Sequence, residues 1–563
     1  MPKIEISHKD LCRLAGKSIP IKALQENDIF YAKGEVDSVD GDTLKIDIKD
    51  TNRPDLWSTE GIARELRAKY STAGLRKYSA GKPGMAVAVD TKSRVQPVVS
   101  CAIARGLKMD DHFLSQVIQL QEKIATAFGR SRRELSLGIY DLDKITLPVR
   151  YTSRKPQDIR FTPLGFESEM TAQEILSRHP KGREFGHLLL NEKEYPVWVD
   201  AKGSIMSMPP IINSRHCGNI SRDTKAAFIE CTGYDDKFLL TAINILAMQM
   251  IDRGASVEAV ENIYGGRKTI TPDFSTGKIM LDAGLFGRVS GMDMPPDKIA
   301  LLLKKCGFNA AEKGGLLEVE YPSYRQDIMH QVDIIEDALI AYGYNRIEPR
   351  YPRLAAQGSV LGIEKFCAAA AEPMMGMGFQ EIMNYTLTNS DELYGRMNIK
   401  AQASVEIENY VSANWSVFRT WLLPGLLSFL SVNQHVEFPQ KIFEIGDAII
   451  PDGKAETGAQ DVRKLACAIT DNPATYEHIS SALDAFMRSL GLRYRLAGTS
   501  HGSFIEGRTA SVVFNNRSIG FIGEMNPQVL NNFGIERPAA SFEIDLTQLY
   551  SARPAKQPAK PLQ

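Results

Sequence analysis

Apolar positions recur along this chain in two periods, and the changes between them set out its elements. Between Glu35 and Lys49, Val36 and Val39 lie before the turn Asp40-Gly41-Asp42, and Leu44, Ile46 and Ile48 alternate after it, so paired strands are expected. Ser7–Gly16 reads as a short capped helix stopped by glycine. A second helix starts near Ser58, after the turn Asn52-Arg53-Pro54. Val99–Leu107 and Ser136–Tyr140 read as strands, with a helix from about His112 to Phe128 between them. Ile279–Leu281 and Leu316–Val319 are further strands, flanking a helix at Pro295–Cys306 that Gly307 ends. Asp333 then precedes Ile334, Ile335, Ala338, Leu339 and Tyr342 at helical spacing, with Gly343 after them. This predicts a helix with Asp333 as its N-cap.

Beyond residue 351 the pattern becomes helix, then strands. Phe366, Ala369, Ala370 and Met374 mark a helix from about Gly362 to the glycines at 376–378, and 379–387 follows as a strand. Pro424 opens an amphipathic helix. Strands are expected at 440–447, 466–470, 511–514, 520–523 and 541–546. The tail Ser551–Gln563, built of Ala, Pro, Lys and Gln, reads as disordered. The fold class is α+β and multidomain: 1–94 an α/β domain, 95–265 a second domain, 266–350 a small α+β module, 351–550 a strand-rich domain, then the tail.

Composition narrows the function classes. At 563 residues the length suits about three to five domains. The formal net charge of -1 leaves no global basic field, so any RNA contact must come from a local patch or a partner chain. Seven scattered cysteines without a C-x-x-C fit reduced thiols and argue against a zinc site. The N-terminus lacks an apolar signal core. The most apolar stretch, Phe238–Ile251, is broken by Thr241, Asn244 and Gln249 and is too short to span a bilayer, so a soluble, cytoplasmic protein is expected.

Two places carry candidate chemistry. Asp327, Asp333, Glu336 and Asp337 gather around the start of the helix after Pro322. They fit either a solvated acidic helix start with Arg325 and Arg346 as partners, or an oxygen-ligand site for magnesium. The stretch Arg325-Gln-Asp327-Ile echoes Arg53-Pro-Asp55-Leu, each leading into an acidic helix start. The second place runs from Pro209 to Asp235, where Asn213, Ser214, Thr224, Thr232, Asp223 and Asp235 surround short strands and turns. This fits a pocket that reads a hydroxyl and orients a water, or a structural turn network. His216 and Cys217 are adjacent and would point apart in an extended segment, a poor nucleophile–base pair. Gly129-Arg-Ser-Arg-Arg-Glu is the densest basic patch nearby, either solvated or touching RNA phosphate.

Taken together, certain stretches resemble the beta subunits of phenylalanine–tRNA ligases of the shorter archaeal/eukaryotic type. They are Asp50-Thr-Asn-Arg-Pro-Asp-Leu-Trp-Ser-Thr-Glu-Gly-Ile-Ala-Arg, Pro210-Ile-Ile-Asn-Ser, Phe228-Ile-Glu-Cys-Thr-Gly, the acidic stretch, Arg419-Thr-x-Leu-Leu-Pro-Gly-Leu-Leu and Lys441-Ile-Phe-Glu-Ile-Gly-Asp. No room is seen for the N-terminal insertion or C-terminal anticodon-binding domain of the longer bacterial form. The resemblance implies an α2β2 enzyme that joins phenylalanine to tRNA(Phe) with ATP, the ATP being bound mainly by the alpha subunit. It assigns Mg2+, shared with the alpha subunit, to Asp327, Asp333, Glu336 and Asp337, where Glu336-Asp337 replaces the usual pair of glutamates. It makes 95–265 an editing domain that hydrolyses mischarged tyrosyl-tRNA(Phe), with Asn213, Ser214, Thr232 and Asp235 as pocket candidates. It makes 351–550 a catalytically inactive class II synthetase-like antiparallel-sheet domain: strand 440–447 lacks an arginine, and Pro538 follows Arg537 so that no helix carries it. A freestanding editing hydrolase and a structural RNA-binding scaffold are the alternatives.

Overall fold

The computed structural model describes residues 2–71, 73–352, 355–356 and 358–552. Most of the tail expected to be disordered, 553–563, lies outside them. The chain forms two compact units, Met1–Arg350 and Tyr351–Gln563.

The first unit opens with a three-stranded antiparallel sheet. Strands Lys3–Ser7, Gly34–Asp40 and Thr43–Ile48 lie in the order first, third, second, and Ile46 faces Ile4 across the pair. The alternation of Leu44, Ile46 and Ile48 is the cause, since all three are fully buried. Helix His8–Ala15 is capped by Ser7, whose Oγ accepts from Asp10 N, and closes at Gly16 with φ 72°. Helix Thr59–Ser71 completes this module.

The same topology returns at the end of the unit. Strands Gly277–Leu281, Asn309–Lys313 and Leu316–Tyr321 again lie in the order first, third, second. Two helices, Ala283–Ser290 and Pro296–Lys304, fill the first connection, and helix Gln331–Tyr342 follows the sheet. The echo between Arg53-Pro-Asp55 and Arg325-Gln-Asp327 therefore extends to whole modules.

Between the two modules lies a ten-stranded sheet. Towards one end of it, strand Ala226–Gly233 pairs antiparallel with Val98–Arg105 on one side and with the edge strand Leu135–Asp141 on the other. Helix Asp236–Asp252 covers one face. Strand Gly81–Val89 pairs with Ser256–Ile263, and Lys268–Thr271 adds to the edge. The sheet thus begins before residue 95 and runs past residue 265, beyond the expected domain limits.

The second unit is built on a seven-stranded sheet. Its long strands Gln440–Pro451, Ala459–Thr470, Ala539–Asp545, Arg517–Met525 and Phe504–Phe514 are antiparallel, and only Gln380–Glu381 joins in parallel. Helices Gly362–Gly376 and Tyr476–Ser489 pack Phe366, Met374 and Phe486 on one face. Helix Leu423–Val432 packs Leu426, Leu427 and Leu430 on the other. The strand expected over 379–387 is reduced to Gln380–Glu381 and, in another pair, Leu387–Thr388.

Candidate functional site

Strand Ala226–Gly233 has a two-residue side-chain period, so Ile229 and Cys231 enter the helix-covered core while Phe228, Glu230 and Thr232 share the other face. Across the sheet, Tyr140 stands opposite Phe228, Gly138 opposite Glu230 and Ser136 opposite Thr232. Glu230 is only 2% exposed. Its Oε1 lies 2.9 Å from Tyr140 Oη, which is also 2.8 Å from Ser207 Oγ and 3.5 Å from Asn213 Oδ1. Gly138 makes room for these two side chains, because a Cβ there would stand 2.3 Å from both Glu230 Oε1 and Tyr140 Oη. The other carboxyl oxygen, Oε2, and the neighbouring Trp198 Nε1 make no hydrogen bond of good geometry, although the indole N–H is near enough to draw on the carboxyl. Burial pushes the Glu230 carboxyl up to about 8, against the opposing pull of Tyr140 and Trp198. The group therefore carries a proton at neutral pH and can both donate and accept.

Of the four pocket candidates, Asn213 reaches this cluster. Ser214 caps the short helix Arg215–Gly218, its Oγ accepting from His216 N at 3.2 Å. Thr232 is buried in an adjoining triad with Gln96 and Ser136. Asp235 lies apart, exposed, as the N-cap of helix Asp236–Asp252, accepting from Lys237 N at 2.7 Å. Burial raises the Cys217 thiol to about 11, which leaves it protonated and a poor nucleophile. Sequence reasoning missed Glu230, Tyr140, Ser207 and Trp198. The available signal was one acid, Glu230, within an otherwise apolar run, Phe228-Ile-Glu-Cys, on a strand with apolar neighbours at both sides.

The acidic stretch is arranged differently from its reading in sequence. Helix Gln331–Tyr342 is capped by His330, and Asp333 is its third residue. Asp333 Oδ2 reaches back to accept from Met329 N at 2.8 Å and His330 N at 2.7 Å, the far half of a capping box. Arg325 clamps the two buried acids. Its Nε and Nη2 donate to Asp327 at 2.8 and 2.7 Å, and Nη2 donates again to Asp337 Oδ2 at 2.5 Å. Burial alone would raise the Asp327 carboxyl, yet Arg325 and Arg53 together hold it well below the usual carboxylate range. The first module repeats the clamp at the same spacing. Arg53 binds Asp55 at 2.9 and 2.8 Å and Glu65 at 2.7 Å. The two clamps meet where Arg53 Nε lies 3.8 Å from Asp327 Oδ1. Lys33 Nζ adds contacts to Glu336 at 3.0 Å, Asp50 at 3.1 Å and Asp337 at 3.8 Å.

These carboxylates do not fit a magnesium ion held by this chain. Asp327 and Asp337 are spent on Arg325, Glu336 on Lys33, and Asp333 on backbone N–H groups. Among the described residues, no group of three or more His, Cys, Asp or Glu side chains is placed to hold a metal ion. As placed, the four acids form part of a salt-bridged joint between the modules.

Comparison with known proteins settles the family. A phenylalanine–tRNA ligase beta subunit from Pyrococcus abyssi is 43% identical over 98% of this chain and 100% of its own length. The chain belongs to the phenylalanine–tRNA ligase beta-subunit family. The relative from Methanococcus maripaludis is 34% identical over 97% of this chain and all of its own. The family's B5 model matches residues 279–344, which is the second module, and its "Phenylalanyl tRNA synthetase beta chain CLM domain" model matches 347–546. An N-terminal fragment of the phenylalanyl-tRNA synthetase beta subunit from Pyrococcus horikoshii, solved by crystallography, is 41% identical. It covers 61% of this chain and 100% of its own, with a TM-score of 0.59.

In this member of the beta-subunit family, the polar groups along the second unit's sheet bind one another. Glu444 accepts from Arg419 Nη1 at 2.6 Å and from Asn384 Nδ2 at 2.7 Å. Glu543 accepts from the Leu422 and Leu423 N–H groups at 2.9 and 3.0 Å and from Lys464 at 3.0 Å. Arg537 lies beyond helix Pro527–Phe533 and stacks over Phe438 at 3.9 Å. Among the described residues, no helix is long and apolar enough to cross a membrane.

Proposed function

We propose that this chain acts as the beta component of an α2β2 phenylalanine–tRNA ligase, whose alpha partner uses ATP to attach phenylalanine to tRNA(Phe). The beta chain itself removes tyrosine mistakenly attached to that tRNA. One observation carries the editing assignment: a buried, protonated Glu230 beside the Trp198 N–H, both incompletely bonded, within the Tyr140–Ser207–Asn213 cluster. Tyrosine differs from phenylalanine by one phenol hydroxyl. A buried glutamic acid and an indole N–H whose bonding is incomplete can pair with that hydroxyl, which supports a preference for the tyrosyl ester.

The division of labour rests on the second unit. Arg419 and Lys464 neutralise Glu444 and Glu543, and Leu422, Leu423 and Leu426 cover the sheet face. Arg419 is thereby held within the chain and not left for a nucleotide, which supports giving activation to the alpha partner. The seven unpaired cysteines suit a reducing cytoplasm.

Co-expression with the alpha chain tests both parts. The chain alone is expected to give no phenylalanine-dependent ATP–pyrophosphate exchange, and the complex to give it. Robust exchange by the chain alone would refute the division. The complex is expected to clear tyrosyl-tRNA(Phe), and Glu230→Ala to lose at least tenfold in that rate. A freestanding hydrolase would instead clear it without the alpha chain.

A further inference from the structure

Left-handed backbone at non-glycine residues is confined to eight described positions, and four of them are Gln96 (φ 48°), which bonds to Thr232 on the Glu230 strand, and the run Arg130 (48°), Ser131 (56°) and Arg132 (63°). Three consecutive L-residues in this conformation are costly, since the Cβ of each is pressed against its own backbone. Such a run persists only where surrounding bonds over-determine it. Here the backbone bonds Ser131 N to Thr126 O at 2.8 Å and Arg132 N to Ala125 O at 2.9 Å close the turn after the helix.

The strain turns one side chain inward. Arg132 Nη1 donates to Pro210 O at 2.9 Å and Ile211 O at 2.8 Å, with its guanidinium stacked 4.3 Å over the Phe185 ring. The arginine of the basic loop expected to be solvated or to touch RNA is thus spent within the protein. Gln96, fully buried, joins it from behind. Its Nε2 donates to Arg132 O at 2.8 Å, while Oε1 accepts from Ser136 Oγ at 2.7 Å and Thr232 Oγ1 at 2.8 Å. A continuous chain of bonds therefore runs from Thr232, on the strand that bears Glu230, through Gln96 and Arg132 to the 210–211 carbonyls. Asn213 follows two residues later, next to Tyr140. The pocket has two walls, the Ala226–Gly233 strand and the 210–214 segment, and this chain ties one to the other.

We propose that Gln96 and Arg132 are positioning residues that fix the spacing of these walls and so set the preference of the pocket for tyrosyl over phenylalanyl esters. This deepens the editing reading above and rests on it. Neither residue touches the reacting ester; both act through the segment carrying Asn213.

Arg132→Gly and Gln96→Gly test it, because glycine holds the left-handed backbone without strain. Ser131→Gly relieves the same strain while keeping both side chains. In the complex with the alpha chain, each of the first two variants is expected to lower tyrosyl-tRNA(Phe) hydrolysis at least tenfold. Each should also narrow the tyrosyl/phenylalanyl ratio of hydrolysis at least fivefold, and Ser131→Gly should keep rate and ratio within twofold. Arg132→Met, which keeps the length of the side chain but has no N–H to donate, should narrow the ratio as Arg132→Gly does, and it serves if the glycine variant does not fold. Unchanged rate and ratio in the Arg132 and Gln96 variants would overturn the proposal. A wild-type complex that does not clear tyrosyl-tRNA(Phe) would instead remove the editing reading. The wall-tying role is then read by hydrogen exchange at residues 211–214, expected at least tenfold faster in Arg132→Gly than in Ser131→Gly, and refuted by equal rates.

Discussion

Replacing Glu230 by glutamine isolates the cost of keeping a carboxyl in the pocket. In the unfolded chain this group ionises near the ordinary glutamate value of 4.5, whereas burial holds it protonated up to about 8 in the fold. Between those values the folded protein retains a proton that the unfolded chain has released. Stability conferred by the raised group is therefore complete below about 4.5 and is lost as pH rises towards 8. Each pH unit in this window is worth about 1.4 kcal/mol, so the full loss approaches about 5 kcal/mol, of which about 3 is incurred by pH 7. Glutamine keeps an oxygen to accept from Tyr140 and has nothing to ionise. Its constant offset is unimportant; the slope is the test. Hydrogen exchange of strand Ala226–Gly233, followed from pH 5 to 8 and corrected for intrinsic rates, should show wild-type protection falling relative to Glu230→Gln by about tenfold per pH unit. A ratio constant within threefold over that range would mean that the carboxyl is solvated or already ionised, and the case for a neutral, hydroxyl-reading glutamate would fail with it.

Three further outcomes follow from the ion pairs. Arg325→Met leaves Asp327 and Asp337 buried without a cation and should cost about 3–5 kcal/mol of first-unit stability in denaturant titrations, with Arg53→Met comparable through Asp55 and Glu65. Adding the neutral pair Asp327→Asn and Asp337→Asn to Arg325→Met should recover most of that loss. Exchange of magnesium for a chelator should leave the melting of the full chain unchanged. Asp333→Asn with Glu336→Gln should bind as many manganese ions as wild type, alone or with the alpha chain, and one equivalent lost would restore the metal site. In the second unit, Arg419→Met strips Glu444 of its buried partner and should lower that unit's stability by about 3–5 kcal/mol, read by limited proteolysis across a denaturant series.

Local pattern carried the elements well. The period-two run of Leu44, Ile46 and Ile48 became the strand Thr43–Ile48, and the helix expected from Gly362 to the glycines at 376–378 runs Gly362–Gly376. Misreadings arose where a side chain had two local uses. Asp333 has the chemistry of an N-cap, but His330 takes that position and Asp333 serves from the third. The partners that the four carboxylates meet in the fold come from elsewhere. Lys33 lies about 300 residues before Glu336, and Arg325 closes on Asp337 only once the helix has made about two turns. The Arg-x-Asp echo was visible in sequence, yet the third member of each clamp, Glu65 or Asp337, stands twelve residues from its arginine and outside any short motif. Thr232 was legible as a polar residue on a buried strand, but its bond to Gln96 spans 136 positions. Glu230 escaped notice for the same reason: what makes it special is depth and the shape left by Gly138, which no spacing records.

The contact between the two clamps has a topological consequence. With Arg53 against Asp327 and Lys33 against Glu336, the chain that leaves the first module after Ser71 must return by Gly277, and everything between is one closed excursion. Closing a loop of roughly 200 residues instead of roughly 20 costs only about 2 kcal/mol more, because the entropy grows with the logarithm of length. The ten-stranded sheet can therefore gain or shed surface loops with little effect on the joint that anchors it. The reverse does not hold: whatever opens the joint frees both ends of the excursion at once.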